Sequence, residues 1–244
     1  MSSLYLREDL EVDDVGAAVS ILGAEARHAV TVGRTRVGET ISIGNGRGLV
    51  VTGEVTAAAP GELTIAPRVV ETVEAPRPRV VLAQALAKGD RDELAVQAAT
   101  ELGVDAVIPW AARRSVSRWE GPKVQKGRER WALISREAAK QSIRPWLPSV
   151  GDLATTKDLA RLAATARVLV LEPTASEALT ELSSDDDERD IVLVVGPEGG
   201  IAPEELDALR DAGASLLRLG TSVLRTSTAG PAAIAVLNGI LGRW

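Results

Sequence analysis

Two runs of the chain, Val168-Leu169-Val170-Leu171 and Ile191-Val192-Leu193-Val194-Val195, carry no polar residue on either alternating face. A strand of this kind needs both faces of its sheet covered, which is the environment of a central parallel strand in an α/β domain. The surrounding sequence agrees. Val80-Val81-Leu82-Ala83, Ala106-Val107-Ile108-Pro109 and Leu216-Leu217-Arg218-Leu219 read as further strands. Helical segments fall between and after them, at residues 90–102, 123–141, 203–212 and 226–241. Gly103 closes the first helix, and Pro203 opens the third with Glu204 and Glu205 in its first turn, where they complement the helix dipole. Strands alternating with helices define an α/β domain with a mostly parallel sheet.

That grammar begins only after Glu74-Ala75-Pro76-Arg77-Pro78, a stretch that breaks any regular element. Before it, Thr40-Ile41-Ser42-Ile43 alternates, Gly44-Asn45-Gly46-Arg47-Gly48 supplies turn chemistry, residues 49–55 form a β-branched run, and Gly61-Glu62-Leu63-Thr64-Ile65-Ala66 alternates again. Short strands at this density predict a small β-barrel over residues 1–75, with a short helix over residues 24–32, and the α/β domain over residues 76–244.

Residue usage excludes whole classes of chemistry. The 244 residues contain no cysteine and one histidine, His28, so disulfides, thiolate or multi-histidine metal sites and cysteine nucleophiles are out. No metal is expected. The acidic start of the chain lacks a signal-peptide apolar core, and residues 229–242 are too few to span a bilayer, so a cytoplasmic protein without membrane contact is expected. With one Tyr, five Trp and no Phe, there is little for a base-stacking platform.

The net charge of −6 hides a strong polarity. Residues 113–144 hold ten Lys or Arg against Glu120, Glu129 and Glu137. In an otherwise acidic chain, an Arg-rich run of this kind is either a solvated helix face or a phosphate-binding surface. Lys123, Lys126 and Arg130 recur at helical spacing, opposite Trp131, Ile134 and Ala138. By contrast, the acidic stretch at residues 183–190 reads as a solvated loop.

Two loops leave strands and enter helices, and so fall at the carboxyl edge of the sheet, where open α/β folds bind ligands. Gly196-Pro197-Glu198-Gly199-Gly200 has neither a Walker lysine nor dinucleotide spacing, and Glu198 disfavours a phosphate beside it. Leu219-Gly220-Thr221-Ser222-Val223-Leu224-Arg225 is the second, followed by Thr226, Ser227 and Thr228 as candidate caps and Pro231 in the expected first turn. Arg225 is the one basic residue between Arg218 and Arg243. It either serves a ligand or pairs with a local carboxylate, for which Glu198 is the candidate.

These two loops, in this order and spacing, resemble the RsmE family, SPOUT-superfamily enzymes that form N3-methyluridine in 16S ribosomal RNA. Lys88-Gly89-Asp90-Arg91, Ala99-Thr100-Glu101-Leu102-Gly103-Val104, Arg113-Arg114-Ser115 and Glu137-Ala138-Ala139-Lys140-Gln141-Ser142 agree with it. The resemblance spans essentially the whole chain, and Ser227 departs from it where a glutamate is common. It implies a C-terminal trefoil-knot α/β domain and an N-terminal PUA-like barrel. It also implies S-adenosylmethionine as methyl donor, held by Leu171, Glu172, Gly196, Pro197, Glu198, Gly199, Leu219, Gly220, Val223, Leu224, Arg225, Thr228 and Ala229. Arg225 is the expected catalytic residue. Arg7, Arg34, Arg36, Arg113, Arg114, Lys123, Lys126, Arg130 and Arg144 are the expected RNA contacts. The expected partners are 16S ribosomal RNA of the small subunit and a second copy of the chain, seated on the apolar last helix. A SPOUT enzyme acting on a ribose 2′-hydroxyl, an RNA-binding module without turnover and a nucleotide-dependent enzyme on an ordinary doubly wound sheet remain as alternatives.

Overall fold

The computed structural model describes residues 4–183 and 187–244, so Ser184, Asp185 and Asp186 of the acidic stretch lie outside it. The chain forms two compact units. One runs to Ala75 and also takes in Ala139–Leu147; the other comprises Pro76–Ala138 and Pro148–Trp244.

In the first unit, β1 (Leu4–Leu6), β2 (Val19–Leu22), β3 (Thr40–Gly44), β4 (Leu49–Ala59) and β5 (Glu62–Thr72) form one mixed sheet in the order β1-β3-β4-β5-β2. The sheet curls into a half-barrel around Ile43, Val51, Val55, Leu63 and Ile65, all fully buried. β4 and β5 are longer than the sequence pattern implied. Their antiparallel pairing absorbs two register shifts, at Thr52/Gly53 and Val55/Ala57, so the strict alternation that marks a strand in sequence is broken midway. The expected short helix is α1 (Gly23–Arg27), which widens into a π turn over His28–Val32, leaving His28 exposed.

Lys140, in the last turn of a long helix introduced below, is 3.0 Å from Glu25 of α1, with side chains 8% and 16% exposed. Glu25 also accepts from the Leu6 amide at 3.0 Å. This buried pair helps explain why Ala139–Leu147 groups with residues 70 or more positions earlier rather than with its own neighbours.

The second unit is a seven-stranded, wholly parallel sheet built from β6 (Val80–Ala85), β7 (Ala106–Trp110), β8 (Ser149–Val150), β9 (Arg167–Leu171), β10 (Glu177–Ala178), β11 (Ile191–Val195) and β12 (Ser215–Arg218). The order is β10-β12-β9-β11-β6-β7-β8. Every residue of β6 and β11 is buried. Alternate side chains feed two cores. Leu82, Leu193 and Leu169 join α2 (Arg91–Glu101), α3 (Pro122–Gln141) and α6 (Thr226–Ile240) on one face. Ala83, Val194 and Val168 join α4 (Thr156–Leu162) and α5 (Pro203–Asp211) on the other. Burying each such aliphatic side chain contributes about 1.5–3 kcal/mol, so these apolar strands dominate the unit's stability.

α6 differs from the sequence reading at its start. Its N-cap is Arg225, without a side-chain cap bond, and Pro231 sits inside the helix beyond the first turn. The Thr226 hydroxyl is occupied elsewhere, as described below, and so is unavailable as a cap. Gly230 is needed here for closeness: a Cβ would lie 3.0 Å from Leu82 Cδ1, so only glycine lets α6 approach β6 this tightly without displacing a core side chain.

Replacing Lys140 with Met should strip the Glu25 carboxylate of a buried partner and lower stability to denaturant by about 3–5 kcal/mol. Adding Glu25→Gln, which keeps an acceptor for Leu6, should restore most of the loss; equal instability of the single and double variants would show that packing alone is responsible.

Candidate active site

Three connections emerge at the carboxyl ends of neighbouring strands: after β9, after β11 and after β12. Because β11 is inserted between β6 and β9, with β12 beyond β9, these connections converge on a single cavity of about 340 Å³. Leu171 and Glu172 reach it from β9. Gly196, Pro197 and Glu198 reach it from β11, and Leu219, Gly220, Val223, Leu224 and Arg225 from β12, with Ala229 on the first turns of α6. Eleven of the thirteen residues expected around a methyl donor thus share one wall-to-wall space; Gly199 and Thr228 are not among its lining residues.

A single hydroxyl joins the parts. Thr226 Oγ1 donates to the Gly196 carbonyl at 2.8 Å and accepts from the buried Gln84 Nε2 at 2.8 Å, linking α6, the β11 loop and β6. Gly196 is the tightest point of that loop: a Cβ there would fall 2.6 Å from Ile201 Cγ1. Within the loop the backbone makes one turn bond, Gly200 N–H to the Pro197 carbonyl at 2.9 Å.

Glu198 does not pair with Arg225. Its carboxylate accepts from the Lys88 amide at 3.1 Å and from Arg91 Nη1 at 3.0 Å, because the turn before α2 brings that backbone N–H and guanidinium to it together. Partial burial pushes the carboxyl up, but its own amide, the Lys88 amide and the Arg91 hydrogen bond and charge outweigh that and hold it below its ordinary value. Arg225 is exposed at the cavity wall, and its guanidinium has no hydrogen bond or ion pair among the described residues. Glu172 is held by Thr174, which donates from its amide at 3.1 Å and its hydroxyl at 2.8 Å.

Sequence reasoning missed Arg91, Pro173, Val195, Gly200, Ile201, Ser222 and Thr226 as lining residues. Arg91 had a signal, the Lys88-Gly89-Asp90-Arg91 stretch; Thr226 was read only as a cap. Among the described residues no group of three or more His, Cys, Asp or Glu side chains gathers, and no helix is long and apolar enough to cross a membrane.

The expected RNA contacts divide by environment. Arg34 and Arg36 are exposed on the first unit, where Arg7 pairs with Asp9 at 3.4 Å and the Arg144 amide bonds to Ala139. On the second unit Lys123 and Lys126 are exposed on α3, without an ion pair among the described residues. Arg130 is held by Glu93 through two bonds of 3.0 and 2.9 Å. Arg113 pairs with Glu204 at 3.2 Å, and Arg114 Nη1 donates to the Gly199 carbonyl at 3.1 Å.

Fold and cavity are those of an RNA methyltransferase with an N-terminal PUA domain. Residues 73–238 match the RNA methyltransferase domain family and residues 21–67 the RNA methyltransferase PUA domain family. A ribosomal RNA small subunit methyltransferase E of Mycobacterium bovis is 43% identical over 238 residues, 95% of this chain and 90% of the relative. The Bacillus subtilis protein of the same name is 32% identical over 220 residues, 86% of this chain and 85% of the relative. The crystal structure of the Neisseria gonorrhoeae enzyme of that name, bound to S-adenosyl methionine, matches with TM-score 0.86 at 26% identity over 98% of each chain. The chain belongs to the ribosomal RNA small subunit methyltransferase E family, with its PUA-like half-barrel and SPOUT α/β domain. From β12, α6 returns to pack against β11 and β6.

The pKa of Glu198 is held below its ordinary value of 4.5, so its pairing adds stability at neutral pH that is lost as the pH falls below that value and through the folded-state value. Melting temperatures of wild type and Glu198→Gln should therefore differ at neutral pH and converge in acid; a gap that persists unchanged in acid would assign the effect to something other than the charge.

Proposed function

We propose that this protein transfers the methyl group of S-adenosylmethionine to N3 of a specific uridine in 16S ribosomal RNA. The observation that carries the reading is the convergence of the β9, β11 and β12 connections on one cavity, with Arg225 unpaired at its wall. A volume of about 340 Å³ lies within the range of small-molecule sites, and the walls are mostly backbone and aliphatic side chains with few charges. That chemistry fits a donor of single net positive charge: the Glu198 carboxylate in the β11 loop is matched by Arg91, and the loop has no Walker lysine to hold a phosphate. The gonococcal relative with bound S-adenosyl methionine supports the same assignment. Leu171, Glu172, Gly196, Pro197, Glu198, Leu219, Gly220, Val223, Leu224 and Ala229 would hold the donor, with Gly199 and Thr228 acting from just outside the wall.

When bound, S-adenosylmethionine supplies a methyl group already activated by its sulfonium. The protein's own task is therefore orientation and charge stabilisation. Uracil N3 must lose its proton to attack, and the resulting negative charge spreads over O2 and O4. The Arg225 guanidinium, not engaged by any carboxylate among the described residues, is free to face that charge. The proton leaves to water or to a nearby carboxylate. Because N3 lies on the Watson–Crick edge, the target must be presented unpaired. Lys123 and Lys126 on α3, with Arg34 and Arg36 on the half-barrel, are the exposed cations suited to the flanking phosphates. The reaction belongs in the cytoplasm, where small subunits are assembled.

A second copy of the chain is the further partner. Val236, Ala232 and Ile240 recur every four residues along one side of α6 and remain only half-buried, an apolar stripe beside the buried Ala233, Ile234 and Leu237. Sedimentation equilibrium should show a dimer for wild type and a shift toward monomer for Val236→Asp; a monomeric wild type would remove this partner.

Wild type should bind S-adenosylmethionine by calorimetry and restore N3-methyluridine, read by nucleoside mass spectrometry, to ribosomal RNA from cells lacking the gene. Arg225→Ala should lower the methylation rate by about 10²–10³ while donor affinity changes little. Methylation at a ribose, or an Arg225→Ala defect confined to donor affinity, would overturn the assignment.

A further inference from the structure

Arg114 stands in the most basic stretch of the chain, yet its guanidinium points at the protein. Nη1 is 3.1 Å from the Gly199 carbonyl and 3.5 Å from that of Ile201. Its aliphatic stem runs along the outside of the same loop: a Cβ at Gly199 would be 3.4 Å from Arg114 Cβ and 3.8 Å from Cδ. The inner side of that loop, through Gly196, Pro197, Glu198 and Gly200, is cavity wall.

The loop has one backbone bond of its own, so its shape depends on groups outside it. Thr226 holds its start, the Lys88 amide and Arg91 hold its middle, and Arg114 holds its end. The connection that carries Arg114 is itself fixed. The Arg113 amide donates to Glu205 at 3.0 Å, and that buried carboxylate also receives the Thr156 hydroxyl at 2.6 Å and the Ala202 amide at 3.2 Å. Further along the connection, Trp119 meets Trp131 edge-on with ring centroids 5.2 Å apart.

We infer that Arg114 is a positioning residue for the methyl-donor loop rather than a phosphate contact. The inference rests on the reading of the cavity as the donor site. A guanidinium spanning two carbonyls two residues apart fixes the backbone between them, and charge-assisted bonds of this type are the stronger kind. Without it, the end of the loop would have to be ordered when the donor arrives, and that ordering weakens binding.

The test compares wild type, Arg114→Ala and Arg114→Lys with S-adenosylmethionine and with a 16S ribosomal RNA fragment. Arg114→Ala should raise the donor Kd about fivefold or more, the loss of a hydrogen bond to a charged group. Turnover at saturating donor should stay within about twofold, so KM moves and kcat does not. Arg114→Lys should recover part of the affinity, since an ammonium can reach one carbonyl. The salt dependence of RNA binding should be unchanged in Arg114→Ala, whereas neutralising Lys123 and Lys126 should flatten it by about 0.7–0.9 of a log–log unit per lost phosphate. Wild-type donor affinity in Arg114→Ala, or a flattened salt slope in that variant, overturns the inference and leaves the donor site standing. A wild type that binds no donor overturns both.

Discussion

The Thr226 hydroxyl is the interaction on which the alignment of the cavity's elements depends. It is 6% exposed, donates to Gly196 and accepts from Gln84, and so joins the last helix, the β11 loop and a central strand at one atom. Each bond is worth about 1 kcal/mol net, but orphaning a buried partner costs about 1–3 kcal/mol, so the arrangement is held more by the penalty of breaking it than by the gain of forming it. It also explains an oddity of α6. A threonine at the helix start would ordinarily cap it, but here the hydroxyl is committed to the fold and the helix begins uncapped at Arg225. The backbone carbonyl of Arg225 accepts from Thr228 and Ala229 at 2.8 and 2.9 Å, so its main chain is fixed while its side chain stays unengaged.

Charge follows the same division between fixing and leaving free. Of the basic residues in the middle of the sequence, Arg113, Arg114, Arg128 and Arg130 are turned onto carboxylates or carbonyls of the second unit. Those bonds are mostly at the surface and contribute little to stability individually. Their effect is on orientation: they pin the β7–α3 connection and α3, leaving Lys123 and Lys126 on the helix face without an ion pair among the described residues. A composition count treats all ten cations alike. The structure separates those that hold the protein from those available to a polyanion.

The same separation decides what was legible in the sequence. β6, β9 and β11 were readable because burial on both faces demands unbroken apolar runs, and the two Gly-containing loops were readable because they follow such runs. Their position after such runs implied one shared pocket; which residues line it came from the family resemblance, and eleven of those thirteen do. Three features were not legible. Bulges break the alternation of β4 and β5 and hid their length. The grouping of Ala139–Leu147 with the first unit rests on long-range contacts such as Lys140 with Glu25, which no local pattern encodes. The partner of Glu198 was not legible because Arg91 lies 107 residues away in sequence; of the two readings of Arg225, the ion pair with Glu198 does not form.

That last point bears on how a cavity with so few charges could discriminate. Were Glu198 paired with Arg225, any anion developing near Arg225 would meet a guanidinium already neutralised; the ion pair in the cavity wall is instead Arg91–Glu198. Committing Arg91 to Glu198 instead leaves the β11 loop electrically quiet and Arg225 with its full charge. A preorganised, unshared cation is worth most where charge appears only during reaction, because it need not reorient or give up a ground-state partner at that moment. The external bracing of the β11 loop and the isolation of Arg225 are thus two consequences of one choice of pairing, made at the turn that opens α2.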